Sequence, residues 1–194
     1  MKQNIGKNNY QLFTTRISAI HKLETQKLII GLPISQKEAE NLARTFGQIK
    51  NINDGRIAEI PISTIGKILR HKGYDFSKII EHIPELYKTS ILGWSEPEKQ
   101  REGHKHHPNI KEYHNYINKF SDETDEYYIR FTVSEEKIKR RKHSKNYIHS
   151  AFISAIVIYK NGDGSQRIRE KSPGETSTSP SYDYKLMDFL DSVK

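Results

Sequence analysis

The sequence has no cysteine in 194 residues, which excludes disulfides and thiolate metal centres outright and fits a reducing compartment. It also lacks any apolar run approaching the ~20 residues of a membrane span. Its N-terminus, "MKQNIGKNNYQLF", has no apolar signal-peptide core. The expectation is a soluble, cytoplasmic protein with no membrane partner. Several catalytic motifs are missing as well. No G-x-x-x-x-G-K, G-x-G-x-x-G or G-x-S-x-G stands in the right context, and no H-E-x-x-H occurs. Carboxylates are plentiful but scattered, so a two-carboxylate hydrolase has nothing specific behind it. No internal repeat is present.

What the chain does have is positive charge: 32 Lys and Arg against 24 Asp and Glu, a net +8. A positive field attracts phosphate and releases its counterions, so a polyanion is one expected partner, with solubility alone as the plainer explanation. The length suits one domain with an appendage, since domains run ~100–200 residues. Such a chain buries a core without covalent staples.

Hydrophobic spacing organises the chain. "YQLFTTRISAI" and "QKLIIGLPI" read as strands. "SQKEAENLARTFGQI" reads as a helix, with Ser35 and Glu38 as a capping box and Leu42, Thr45, Phe46 and Ile49 at helical spacing. A turn at "NDG" leads into a short strand, "RIAEIPI". Ser63 is placed to cap a helix, "TIGKILRHK", whose Ile65, Ile68 and Leu69 share a face, with Gly73 at the left-handed C-terminal position. In "DFSKIIEHIPELYKTS" Phe76, Ile79, Ile80, Ile83, Leu86 and Tyr87 form one stripe, and Pro84 is expected to kink or interrupt the helix.

The period then changes. "EYHNYINKF", the turn "SDETD" and "EYYIRFTV" predict a hairpin, and "SAFISAIVIYK" a central strand that is apolar on both faces. In the second hairpin strand Tyr127, Ile129, Phe131 and Val133 alternate with Tyr128, Arg130 and Thr132, which separates a packing face from a polar one. Helices first and antiparallel strands afterwards predict an α+β fold, with N-terminal helices packed on an antiparallel strand meander. Residues 161–181, rich in Gly, Ser, Thr and Pro, read as a flexible linker. Residues 182–194 read as a C-terminal helix with its stripe at Leu186, Phe189, Leu190 and Val193.

Three constellations bear on chemistry. The run "KIKRRKHSK" sets Lys137, Lys139, Arg140, Arg141, Lys142 and Lys145 side by side with no intervening acid, which suits phosphates of RNA or DNA rather than recognition of a base sequence. "GHKHHPNIKEYH" gathers His104, His106, His107 and His114, enough imidazole for three metal ligands, though no cysteine is there to help and a surface loop is the plainer explanation. His71 and Lys72 sit where a helix should end, where their charge would offset the macrodipole. The same pair has prospective partners on the sheet. Arg130 and Thr132 share a polar face, and His149-Ser150 enters the central strand. Two imidazoles, a guanidinium and an ammonium suit RNA cleavage without a metal: one His takes the 2′-hydroxyl proton, another protonates the leaving 5′-oxygen, and the cations hold the phosphate. Histidine fits either role, because its ordinary pKa of ~6.5 lets both protonation states exist near neutrality.

From "IGKILRHKGYDFSKIIEHIPELYKTSILGWSEPE" through "GHKHHPNIKEYHNYINKF", "EYYIRFTV" and "IHSAFISAIVIYK", the chain resembles domains of the large polyvalent proteins of phages and mobile elements. Those domains are assigned to the barnase–EndoU–colicin–RelE-like nuclease superfamily. The resemblance spans roughly residues 60–160 and rests on element order and texture. It implies a small α+β endoribonuclease that needs no metal or other cofactor, with its site on the exposed face of the sheet under a preceding helix. By position, the implied site residues are His71, Lys72, Arg130, Thr132, His149 and Ser150. His71 and His149 would be acid and base in either order, Lys72 and Arg130 would hold the phosphate, and Thr132 or Ser150 would orient the substrate. It further implies RNA as the substrate, residues 61–160 as the core, residues 1–60 as an accessory region and, for a toxin, an acidic immunity partner. The rival expectation is a non-catalytic nucleic-acid- or protein-binding module built on Lys137 to Lys145. A third is a metal-dependent hydrolase using His104 to His114.

Overall fold

The computed structural model describes residues 18–20, 22–70, 75–98, 109–136 and 151–161. In chain order these form β1 (Gln26–Lys27), α1 (Gln36–Ala43), β2 (Gln48–Lys50), β3 (Ile57–Glu59) and α2 (Ile62–Ile68). Short 3₁₀ turns at Phe76–Lys78 and Ile80–His82 lead into α3 (Ile83–Lys88). Then come β4 (Ile91–Pro97), β5 (Ile110–Ser121), β6 (Glu126–Glu136) and β7 (Ala151–Lys160).

The hairpin forms where alternation and turn chemistry agree. The Asp122 carboxylate accepts from the amides of Thr124 and Asp125, each at 2.9 Å, which closes the turn and sets the register of β5 against β6. From there Phe120 faces Tyr127, Tyr116 faces Phe131 and His114 faces Val133. β4, β5, β6 and β7 are antiparallel neighbours in sequence, so the predicted meander is present and β4 extends it. The whole sheet is nevertheless mixed rather than antiparallel: β1 pairs β5 and β3 pairs β7 in parallel. Its order is β1-β5-β6-β7-β3-β2, with β4 beside β1 along the outer edge of β5. The correction comes from the N-terminal segment, whose short strands fill edges that the meander leaves open.

One face of the sheet carries the core. Ile129, Phe131 and Val133 of β6 and Ile153 of β7 are fully buried against Ile65, Ile79, Ile80, Ile83, Leu86 and Tyr87. Each such side chain contributes about 1.5–3 kcal/mol. Residues before position 60 share this core through Leu28, Ala39, Ala43, Ile49 and Ala58. α2 is tied to β7 by the Thr64 hydroxyl, which donates to the Ile153 carbonyl at 2.8 Å. Behind the sheet a smaller cluster joins Ile20, Ile117 and Tyr128, with Trp94 and Tyr159 packed on it.

Local details refine the sequence reading. Ser35 and Glu38 form the expected capping box. The helix stops at Ala43, however, and Gly47 takes a left-handed φ of +60° that only glycine adopts freely, so Ile49 is buried from β2 rather than from α1. Pro61, not Ser63, is the N-cap of α2, and Ser63 lies inside the first turn. Pro84 interrupts nothing. It sits in the first turn of α3, where a missing amide costs no hydrogen bond. Gly73, most of the 161–181 linker and the 182–194 helix lie outside the described residues. No helix among the described residues is long and apolar enough to cross a membrane.

Candidate functional site

Arg130 and Thr132 fall where alternation put them, on the same face of β6, and that face is the one turned away from α2 and α3. Arg130 is 5% exposed, with its guanidinium carbon 5.7 Å from the Tyr159 ring centre. The Thr132 hydroxyl donates to Asn115 Oδ1 at 3.0 Å, and the Ser134 and Ser154 hydroxyls meet at 2.7 Å. α2, whose C-terminal end precedes His71, packs against the opposite face through Ile65 and Ile68. His71, Lys72, His149, Ser150, the run Lys137 to Lys145 and the imidazoles of His104, His106 and His107 lie outside the described residues.

The other face holds a denser polar group at the rim of the core, and backbone architecture sets it in place. Asn51 is fully buried at the end of β2. Its amide nitrogen donates to the Tyr87 and Ser90 carbonyls at 2.9 and 2.8 Å, while its Oδ1 accepts from the amides of Asn53 and Asp54. The loop 51–56 is thereby fixed to the end of α3, and Gly55 closes it with a φ of +76°. Asp54 and Arg56 are carried to the hairpin. Arg56 Nε donates to the Tyr116 hydroxyl at 2.8 Å, and that hydroxyl donates to Asp54.

Glu135, near the end of β6, is the hub. Its Oε2 accepts from Arg56 at 2.7 Å and lies 2.9 Å from His114 Nε2, while its Oε1 accepts from Lys111 Nζ at 2.8 Å. His114 Nδ1 is 2.7 Å from the Ser95 hydroxyl of β4. Burial pushes the Glu135 carboxyl upward, but hydrogen bonds from Lys111, His114 and Arg56 outweigh it and bring it down to about 2. An ionised Glu135 holds the imidazole proton on Nε2, so in the neutral ring Nδ1 accepts from Ser95. Access is graded: the His114 side chain is 4% exposed, Glu135 16% and Lys111 58%. Beneath them Tyr87 stands edge-on to Tyr116 with ring centres 5.4 Å apart. Burial raises both phenols well above their ordinary range.

The assembled groups are an imidazole and a carboxylate in contact, flanked by a guanidinium and an ammonium. That is the equipment of acid–base chemistry on a phosphate ester, in which charge and proton position must change together. Sequence reasoning noticed His114 only as a member of a histidine cluster and overlooked Glu135, Lys111 and Arg56. The signal for His114 and Glu135 was partial: the observed turn at residues 122–125 sets Glu112 opposite Glu135 and His114 opposite Val133 on one face, whereas the predicted turn began one residue earlier, at Ser121, and shifts the register by one. Arg56 had no such signal, because no local period links it to the hairpin.

A family model described as large polyvalent protein-associated domain 3 matches residues 31–156, which include every residue of this rim. No curated protein and no solved structure matches the chain.

Proposed function

The chain belongs to the large polyvalent protein-associated domain 3 family, and for it we propose a metal-independent endoribonuclease whose site is the rim around Glu135. The observation that carries the reading is the contact of Glu135 with His114, Arg56 and Lys111 at 2.7–2.9 Å. In the resting protein the two cations neutralise Glu135. A substrate phosphate competes for them, and as Arg56 and Lys111 turn to it, Glu135 regains basicity. Glu135 then takes the proton of the 2′-hydroxyl, whose oxygen attacks phosphorus. The P–O5′ bond breaks and protonated His114 gives its proton to the departing 5′-oxygen, leaving a 2′,3′-cyclic phosphate. Arg56 and Lys111 stabilise the charge that builds on the phosphoryl oxygens.

The association of the family with phages and mobile elements accords with an effector that attacks RNA. Charge placement gives further support. Residues 137–150 connect Glu136 to Ala151, and Glu135 pairs with Ala151, so the basic run joins the sheet at the rim. This also favours a second reading, a module that binds nucleic acid through Lys137 to Lys145 without cutting it.

The test is cleavage of a mixed RNA by purified protein in EDTA. His114→Ala and Glu135→Gln should each lose about 100-fold or more of the rate, while Arg130→Ala keeps it. Loss in Arg130→Ala and His149→Ala but not in His114→Ala would transfer the site to the opposite face of the sheet. Salt-sensitive RNA binding with no cleavage by the wild type would replace the nuclease with the binding module.

A further inference from the structure

Among the described residues, no Lys or Arg forms an ion pair with Glu112, whose ion-pair partner at the rim is His114. Glu112 pairs directly across the strands with Glu135, an arrangement of like charges that a sheet ordinarily avoids. Lys111 and Arg56 both turn to Glu135, and among the described residues no hydrogen bond reaches the Glu112 carboxylate. Its Oε2 lies 3.8 Å from His114 Nε2, the same nitrogen that sits 2.9 Å from Glu135 Oε2. Ligand atoms of Glu112, His114 and Glu135 all fall within 4.8 Å of one another.

We propose that Glu112, His114 and Glu135 bind a divalent transition metal of the zinc type, and that the ion switches the rim off. One imidazole nitrogen and two carboxylate oxygens suit Zn²⁺, whereas Mg²⁺ and Ca²⁺ prefer all-oxygen sites. Tetrahedral bonds of about 2.0–2.2 Å separate the ligand atoms by roughly 3.4 Å. The distances of 2.9 and 3.8 Å bracket that value, so small side-chain shifts complete the set. Supporting partners are already in place. Ser95 fixes the ring through Nδ1, and Lys111 and Arg56 hold the Glu135 carboxylate from outside. The ion takes the place of the proton on Nε2, and the neutral ring keeps its proton on Nδ1, which then donates to Ser95 Oγ. A fourth position stays open to water.

Metal binding stands on this geometry alone. Its inhibitory consequence rests on the nuclease reading, since the ion would occupy both the general acid and the general base. The experiment is titration of the full chain with Zn²⁺ by calorimetry, in a background where His104, His106 and His107 are Ala so that the neighbouring histidine cluster is silent. One site is expected. Glu112→Gln should weaken it at least tenfold, and Ser95→Ala about tenfold. Co²⁺ in place of Zn²⁺ should show the visible absorption of a four-coordinate ion, lost in Glu112→Gln. Glu112 is partly exposed, so this variant keeps the test open even if His114→Ala does not fold. No binding, or an affinity unchanged in Glu112→Gln, overturns the site. RNA cleavage in EDTA and in Zn²⁺, each protein normalised to its own EDTA rate, separates the two proposals. Half-inhibition should need at least tenfold more Zn²⁺ in Glu112→Gln. A chain that binds Zn²⁺ through Glu112 but never cleaves RNA refutes the nuclease and the inhibition while leaving the metal site standing. Cleavage that Zn²⁺ does not touch removes the switch.

Discussion

Glu135 is the residue on which the rim depends, and its pKa makes that measurable. Its folded value of about 2 lies below the ordinary 4.5. A depressed carboxylate contributes stability that is complete above its unfolded value and is lost as pH falls through the folded one. The window therefore runs from about pH 4.5 down to about pH 2. Glu135→Gln should lack this contribution, ~1–2 kcal/mol once solvent screening at the rim is allowed for. Thermal melts of the two proteins should consequently converge as pH falls through that window. A constant gap would mean that the Lys111 and Arg56 contacts are not held in solution. Local signals were partial at this scale: the hairpin gives Glu135 and His114 a common face, but their burial and their cations come from elsewhere in the chain.

Between elements, the decisive joint is the loop 51–56. It brings Arg56 to Glu135 across 79 residues and Asp54 to Tyr116 across 62. Asn51 holds the loop to α3 with donors and acceptors that water cannot replace at full burial. Asn51→Ala should cost about 2–3 kcal/mol, because several buried backbone groups lose their partner together. Chemical denaturation measures the loss, and an unchanged midpoint would show that the loop is held by other contacts. At this scale the individual elements were readable and their junctions were not. The capping box of α1 and the Asp122 turn are local hydrogen bonds between neighbours in sequence, so spacing discloses them. The start of α3 at Ile83 and the end of α1 at Ala43 were set by packing, which overrides a repeating pattern.

Across the whole molecule, charge and architecture divide the work. The net charge of +8 includes six cations in the run Lys137 to Lys145, so neutralising them leaves +2. If the run carries the contact with RNA, replacing all six by Gln should flatten the slope of log affinity against log salt by up to about 4 for a single strand. Binding measured across a salt series decides it, and an unchanged slope would place the contacts elsewhere. The sequence by itself determined the α+β class, the β5–β6–β7 meander, the division of β6 into apolar and polar faces and the excess of positive charge. Each of these follows from composition, or from periods and turns within a few residues, and such signals survive without knowledge of distant partners. Tertiary structure alone decided that the sheet is mixed, that Arg130 is buried behind it, and that Arg56 and Lys111 meet Glu135 beside His114. Those outcomes depend on which edges the short N-terminal strands occupy and on contacts between segments far apart in the chain, where burial and pairing geometry, not local pattern, select the partner.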